Sequence, residues 1–298
     1  MDNRAEVREF LMSRRAKLTP DAAGLPAGSH RRVPGLRRSE VAMLAGVSVE
    51  YYAKLERGAI AGASASVLDA VSRALRLNDA ERAHLLDLAR AADGIPTSGR
   101  SRGRVSRPGP PRPSLQWALE AITDAIAFVR DPRQNLLATN DLGRAFYAPV
   151  IGDGGRTPNL ARFQFLDPAA RDFYPEWDVM AEMCVAVMRA EAGRNPHDTA
   201  FQDLVGELST RSETFRTLWA AHDVRIHGAG TKRFRHPAVG DLTLAYEELA
   251  VTAEPGQVLL VYTAEPGSPS AERLRLLASW GAGHQALDPA EGIAAPLA

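Results

Sequence analysis

The sequence predicts an α + (α+β) fold: an all-α bundle, then a domain in which an antiparallel sheet is flanked by helices. Three observations predict it. Apolar residues recur at helical spacing as far as Ala92, with no strand-like alternation between them. The stretch DGIPTSGRSRGRVSRPGPPRP that follows is crowded with Gly, Pro, Ser and Arg and reads as a linker. After Ser114, short alternating runs separated by turn residues join the helical ones, and connections that short imply antiparallel strands. A chain of 298 residues can bury two cores, and the expected boundaries are 1–93 for the bundle, 94–113 for the linker, 114–283 for the second domain and 284–298 for a tail.

Taken in order, Val7, Phe10 and Leu11 mark a first helix, stopped by the turn-rich LTPDAAGLPAGSHRRVPGL. Four further helices are expected at Arg38–Ala45, Ser48–Arg57, Ser66–Leu77 and Asp79–Ala92. In the second half, LQWALEAI, WDVMAEMCVAVMRAEAG and the span from Phe201 to His222 read as helices. AIAFVR, NLLATN, DVRIH, KRFRH, LTLAYEEL and VLLVYT read as strands, with turns at Gly228–Thr231, Pro237–Asp241 and Pro255–Gln257.

Charge separates the same two halves. The formal net charge is zero, yet residues 1–112 carry 20 Lys+Arg against 12 Asp+Glu, and residues 113–298 carry 16 against 24. A basic half suits a polyanion such as nucleic acid. The 33 arginines against 3 lysines reflect a GC-rich coding sequence, so arginine abundance by itself says nothing of function. Cys184 is the single cysteine, which excludes an intrachain disulfide and a Cys-based zinc cluster. With no apolar run of about 18 residues and no signal-peptide pattern at the start, the expectation is a cytoplasmic protein that does not enter a membrane.

In RRSEVAMLAGVSVEYYAKLERG, the spacing of Val41, Leu44, Val47, Tyr52 and Leu55 lets two short helices share one small core across a tight Ala45-Gly46 corner. Ser48 is a natural N-cap that turns the free N–H groups of the second helix toward an anion. Val49, Glu50, Tyr51 and Lys54 then face outward, as in a recognition helix entering a major groove. The alternative is a helical hairpin in some other bundle. This segment resembles the Cro/cI-type, or xenobiotic-response-element, helix-turn-helix family at Ala45, Gly46, Val47, Ser48, Tyr52, Leu55, Glu56 and Gly58. The resemblance implies binding to a double-stranded DNA operator, with Val49, Glu50 and Lys54 at base edges and Arg37, Arg38, Ser48, Tyr51 and Arg57 near phosphates. The sequence departs from the family at Arg37, where Ser or Thr commonly caps the first helix, and Glu56 is read as a partner for a basic neighbour.

The second half shows no catalytic constellation and no metal motif: His222 and His227 do not form H-E-x-x-H, and GAGTK has the wrong spacing for a phosphate loop, so neither an enzyme nor a bound cofactor is expected. It is rich in aromatic and Met residues, which build a core and can also line an apolar ligand cavity. GRAFYAPV, PNLARFQFLDPAARDFYPEW, LVGELSTRSETFRTLWAAHDVR, GTKRFRHPAVGDLTLAYEEL and VYTAEPGSPSAERLRLLASW resemble the MmyB-like ligand-binding domain. That resemblance implies a PAS-like sheet and a hydrophobic, fatty-acid-like effector; Trp177, Met180, Met183 and Trp219 are candidate walls and Arg211, His222 or Arg225 candidate anchors for a polar head, with an ion pair to Glu or Asp the favoured role of each arginine. The expected whole is a one-component transcription regulator acting as a homodimer. The alternative is a DNA-binding regulator with no effector, whose second domain serves only dimerisation or protein contact.

Overall fold

Asp2 opens the first helix, α1 (Asn3–Lys17), by accepting the Arg4 backbone N–H at 3.0 Å, and Arg14, Arg15 and Lys17 close it at the negative end of the helix dipole. The helix belongs to a computed structural model that describes residues 2–26, 31, 33–94, 111–152, 157–224 and 228–285. α2 (Arg38–Ala45), α3 (Val49–Glu56), α4 (Ala65–Ala74) and α5 (Asp79–Ala92) follow. Ser48, Ser64 and Asn78 each cap the next helix by accepting a backbone N–H, so three short helices start where small polar residues stand. The second half runs α6 (Pro113–Glu120), β1 (Ile126–Arg130), β2 (Leu136–Thr139), α7 (Asp141–Phe146), α8 (Ala148–Ile151), α9 (Leu160–Leu166) and α10 (Ala169–Phe173), then α11 (Trp177–Arg194), α12 (Thr199–Arg211), α13 (Glu213–Ala220), β3 (Ala229–His236), β4 (Gly240–Ala250), β5 (Val258–Thr263) and α14 (Pro269–Gln285).

These elements make two compact units, and the division is not the sequential one. One unit comprises Met1–Arg102 with Ala181–His227; the other comprises Gly103–Met180 with Gly228–Ala298. The chain thus returns to the first unit with most of α11 and all of α12 and α13, a stretch that sequence position alone places in the second domain.

The first unit packs Val7, Phe10, Leu11, Val41, Tyr52, Leu55, Leu68, Leu85 and Leu88 into one apolar core, which Val224 also joins. Inside it lies an ionic cluster. Arg189 of α11 is 1 % exposed and donates to both Glu6 oxygens at 2.7 Å, while its guanidinium lies 3.8 Å from the centre of the Trp219 ring and donates to the Trp219 carbonyl. His222 stands between Glu6 (3.5 Å) and Glu9 (2.9 Å). Arg14 donates to the His222 carbonyl at 2.6 Å and to Asp223 at 2.8 Å, and Arg194 reaches Asp87 of α5 at 3.3 Å. A buried charge is tolerated only when paired and hydrogen-bonded, so each of these contacts ties the returning segment to the five-helix bundle. Burial alone would raise the Glu6 carboxyl, but the His222 hydrogen bond and the Arg189 charge outweigh it and hold it at about 2. Burial pushes His84, beside Glu6, down to about 3, so its ring stays neutral in the folded protein.

The second unit is a five-stranded sheet in the order β2-β1-β5-β4-β3, antiparallel at every pairing. In β4, buried Leu242, Leu244 and Tyr246 alternate with exposed Asp241, Thr243, Ala245 and Glu247, which is the signature of a strand covered on one face. β1 is buried along its whole length because α6 packs Leu115 and Leu119 on Ala127 and Val129, while Tyr147 closes on Phe128 from the opposite face. Buried Asn140 locks α7 to the sheet, accepting from the Ala127 and Gly143 N–H groups at 3.0 and 2.8 Å and donating to the Ile122 and Ala125 carbonyls.

Several expectations change. The helix foreseen from Phe201 to His222 is two helices, because Ser212 leaves helical geometry and caps α13 by accepting the Phe215 N–H. Gly228–Thr231, foreseen as a turn, mostly belongs to β3, where Ala229, Gly230 and Thr231 pair with Glu247, Tyr246 and Ala245. Of the strand foreseen at 223–227, Asp223 and Val224 are not in a strand, and 225–227 lie outside the described residues, as do 95–110 of the expected linker and 286–298 of the expected tail.

Two measurements test this packing. A Cβ on Gly193 would stand 2.5 Å from the His84 ring, so Gly193→Ala should lower unfolding stability by about 1–3 kcal/mol in urea titration. Unfolded, His84 and Glu6 take up protons near 6.5 and 4.5; folded, only near 3 and 2, so falling pH favours the unfolded chain. The melting temperature should therefore drop from pH 7.5 to pH 5, and His84→Leu should flatten the part of that curve above pH 5.

Candidate nucleic-acid interface

α2 and α3 are set by their ends. Arg37, at the N-cap of α2, offers no side-chain oxygen to the first turn, and only the reciprocal half of a capping box is made: the Glu40 carboxylate accepts the Arg37 backbone N–H at 2.7 Å. Arg31 grips both Glu40 oxygens at 2.7 and 2.8 Å and the Gly35 carbonyl at 2.8 Å, which fastens the loop to the helix. The Arg31 hydrogen bond holds the Glu40 carboxyl down at about 2. At the corner Gly46 adopts φ +64°, a left-handed conformation open to glycine, and its N–H closes α2 on the Ala42 and Met43 carbonyls.

Val41, Tyr52 and Leu55 are buried at this hairpin and Val47 is half-buried, whereas Leu44, expected in the core, is 38 % exposed and Ala42 takes the inward place. Ser48 accepts the Tyr51 N–H at 3.0 Å and so caps α3, whose first-turn residues Val49 and Glu50 are exposed. Val49 is 42 % exposed, and Glu50, Lys54, Arg57, Arg37, Arg38 and Ser48 are exposed as well. Tyr51 is half-buried and packs partly on the core. Met43 of α2 is exposed as well. The hairpin thus offers exposed cations at Arg37, Arg38, Lys54 and Arg57, together with donor, acceptor and apolar side chains of the kinds that match base edges.

Glu56 is the keystone beneath it. Its side chain is fully buried, and its two oxygens are held by Arg15, at 2.6 Å, and by Arg38. Arg15 also donates to the Leu36 carbonyl at 2.8 Å. The carboxylate thus fixes Arg38 at the surface and connects α1 to both helices of the hairpin, the structural part foreseen for it.

The expected effector residues are distributed differently. Trp177 and Met180 belong to the sheet unit, and Met183 and Trp219 to the bundle unit. The Trp177 indole donates to the Gln164 carbonyl at 3.0 Å beneath the Arg171 guanidinium, 4.0 Å from the ring centre. Trp219 stacks on Phe215, with the centres of the rings 5.5 Å apart. The polar-head residues find other partners: exposed Arg211 pairs with Glu207 at 3.0 Å one turn away, and His222 is buried against Glu6 and Glu9, while Arg225 lies outside the described residues. Most of the remaining aromatics form the sheet unit's own core, with Phe146 edge-on to Tyr147 and Phe234 at 4.9 Å each. Lys232 went unnoticed in the sequence: on β3 its ammonium meets the Tyr246 and Tyr262 rings. Its rarity among 33 arginines was the available signal.

Among the described residues no group of three or more His, Cys, Asp or Glu side chains could hold a metal ion, and no helix is long and apolar enough to cross a membrane. Replacing Glu56 by Ala should leave Arg15 without its carboxylate and cost on the order of 3 kcal/mol in chemical denaturation; Glu56→Gln should cost less.

No curated protein matches the chain. Residues 9–85 match a helix-turn-helix domain, and residues 111–277 match the MmyB-like transcription regulator ligand binding domain. The second match spans more than half of the chain and contains the segment that packs with the bundle. With a DNA-binding hairpin at one end and that domain over most of the remainder, the chain belongs to the MmyB-like family of helix-turn-helix transcription regulators.

Proposed function

We propose that the chain is a one-component regulator that binds a specific pseudo-palindromic operator as a homodimer and answers to an apolar small molecule. The observation that carries the first part is the open first turn of α3: Ser48 caps it, and Val49, Glu50 and Lys54 project from it. Lys54 suits a guanine edge, Glu50 a cytosine amino group and Val49 a thymine methyl, while Arg37, Arg38, Ser48, Tyr51 and Arg57 hold phosphates. Dimers of this helix class read half-sites roughly 34 Å apart. The second part rests on the family of the C-terminal domain, with Trp177 and Met180 as walls for the apolar body. A ligand acts on DNA binding only through different affinities for two states of the protein.

Fluorescence anisotropy at fixed salt, with DNA from upstream of the coding sequence against a scrambled duplex, tests the reading. Lys54→Ala should weaken the specific complex by roughly 5- to 100-fold and leave the scrambled one nearly unchanged. Arg57→Ala should weaken both alike and reduce the salt slope by about one. Equal affinity of the wild-type chain for the two duplexes would refute specific regulation. Native mass spectrometry of freshly purified protein tests the effector: a retained small adduct supports sensing. Bare protein whose DNA affinity no apolar compound alters would leave the second domain to dimerisation.

A further inference from the structure

We propose that Trp117 is the centre of a surface on which a second copy of this chain docks, with the α6 helices of the two copies packed antiparallel. This rests on the homodimer reading above and names its contact. α6 turns Leu115 and Leu119 to the sheet, where they pack on Ala127 and Val129. Trp117 lies between those two in sequence, so it leaves the helix on the side away from the sheet, and it is 67 % exposed. Ala118 and Ala121, exposed on the same flank, are too small to cover the ring. The sheet adds Leu249. It pairs with Leu259 of β5, which pairs with Val129 of β1, so all three project from the face that carries α6, and Leu249 is 50 % exposed. Large apolar side chains grouped on a surface in this way mark a contact with another molecule.

Shape and charge select the same chain as the occupant. The surface is complementary to itself, because a protruding indole stands beside the hollow left by two alanines. A two-fold axis across antiparallel helices sets each indole on the other copy's Ala118 and Ala121, as an isologous contact requires. The charges are ordered along the helix in the matching sense. Arg112 is exposed at the N-terminal end, where it also reaches Glu254 at 3.4 Å, and Glu120 and Asp124 are exposed at the C-terminal end. Antiparallel packing brings each arginine to the acidic end of the other copy, whereas parallel packing would set like charges together. The area limits the strength of the contact. A tryptophan buries about 150–250 Å², and with two alanines and a leucine the surface stays below the roughly 800 Å² per partner of a stable interface. Association is therefore weak in free solution and is completed on DNA, where two half-sites hold two copies at high effective concentration.

Sedimentation equilibrium of the full-length chain, at concentrations up to about 0.2 mM, should show a micromolar monomer–dimer equilibrium, and binding to the upstream duplex should be cooperative. Trp117→Glu should weaken self-association by about tenfold or more and remove the cooperativity. Ala118→Arg, which fills the hollow, should do the same. Arg112→Glu should weaken association several-fold, and adding Glu120→Arg should restore part of it; failure to restore it would overturn the antiparallel arrangement. Thermal unfolding monitors each variant, and if Trp117→Glu does not fold, Ala118→Arg decides. If the free chain is monomeric yet binds the duplex cooperatively, loss of that cooperativity in the variants supports the surface and its survival overturns it. Dimers that persist in both Trp117→Glu and Ala118→Arg would overturn the surface and leave the homodimer reading standing. A chain that is monomeric throughout and binds the duplex without cooperativity would overturn both.

Discussion

Arg189 and Glu6 are 183 residues apart in the chain, and both are almost wholly removed from water. Either charge alone in that position would cost several kcal/mol, so the bundle and the segment around Arg189 are obliged to fold together. Much else is arranged around this constraint. Trp219 lies under the guanidinium, His222 stands 3.5 Å from the carboxylate, and Gly193 lets α11 come close to the His84 ring of α5. The outcome is a DNA-reading unit whose core is completed by residues from the stretch matched to the ligand-binding family.

A single helix, α11, supplies Trp177 to one unit and Arg189 to the other. Within the bundle unit, α11 meets α1 through Glu6 and α5 through Asp87. α1 in turn meets the reading hairpin through the two-arginine grip on Glu56.

The DNA-reading end was legible because its signals are local. A serine before a helix, a glycine at a corner and apolar residues at fixed spacing act within one or two turns, and Ser48, Gly46, Tyr52 and Leu55 do what their spacing implies. Leu44 was misplaced because α2 turns Val41, Ala42 and Ala45 inward, and size alone does not reveal that rotation. The effector end was less legible. Its strands alternate clearly enough to be counted, but the order β2-β1-β5-β4-β3 and the inward aim of Lys232 depend on which strands become neighbours.

By itself the sequence determined the two fold classes, the helix-turn-helix and the charge division between the halves, since periodicity, capping and composition are properties of short stretches. Only the tertiary structure decided which unit holds Arg189, Trp219 and His222, and that Arg211 and His222 already have carboxylate partners. The physical reason is distance along the chain: a buried ion pair needs its counter-charge in space, and nothing in the residues around position 6 specifies that the guanidinium comes from position 189.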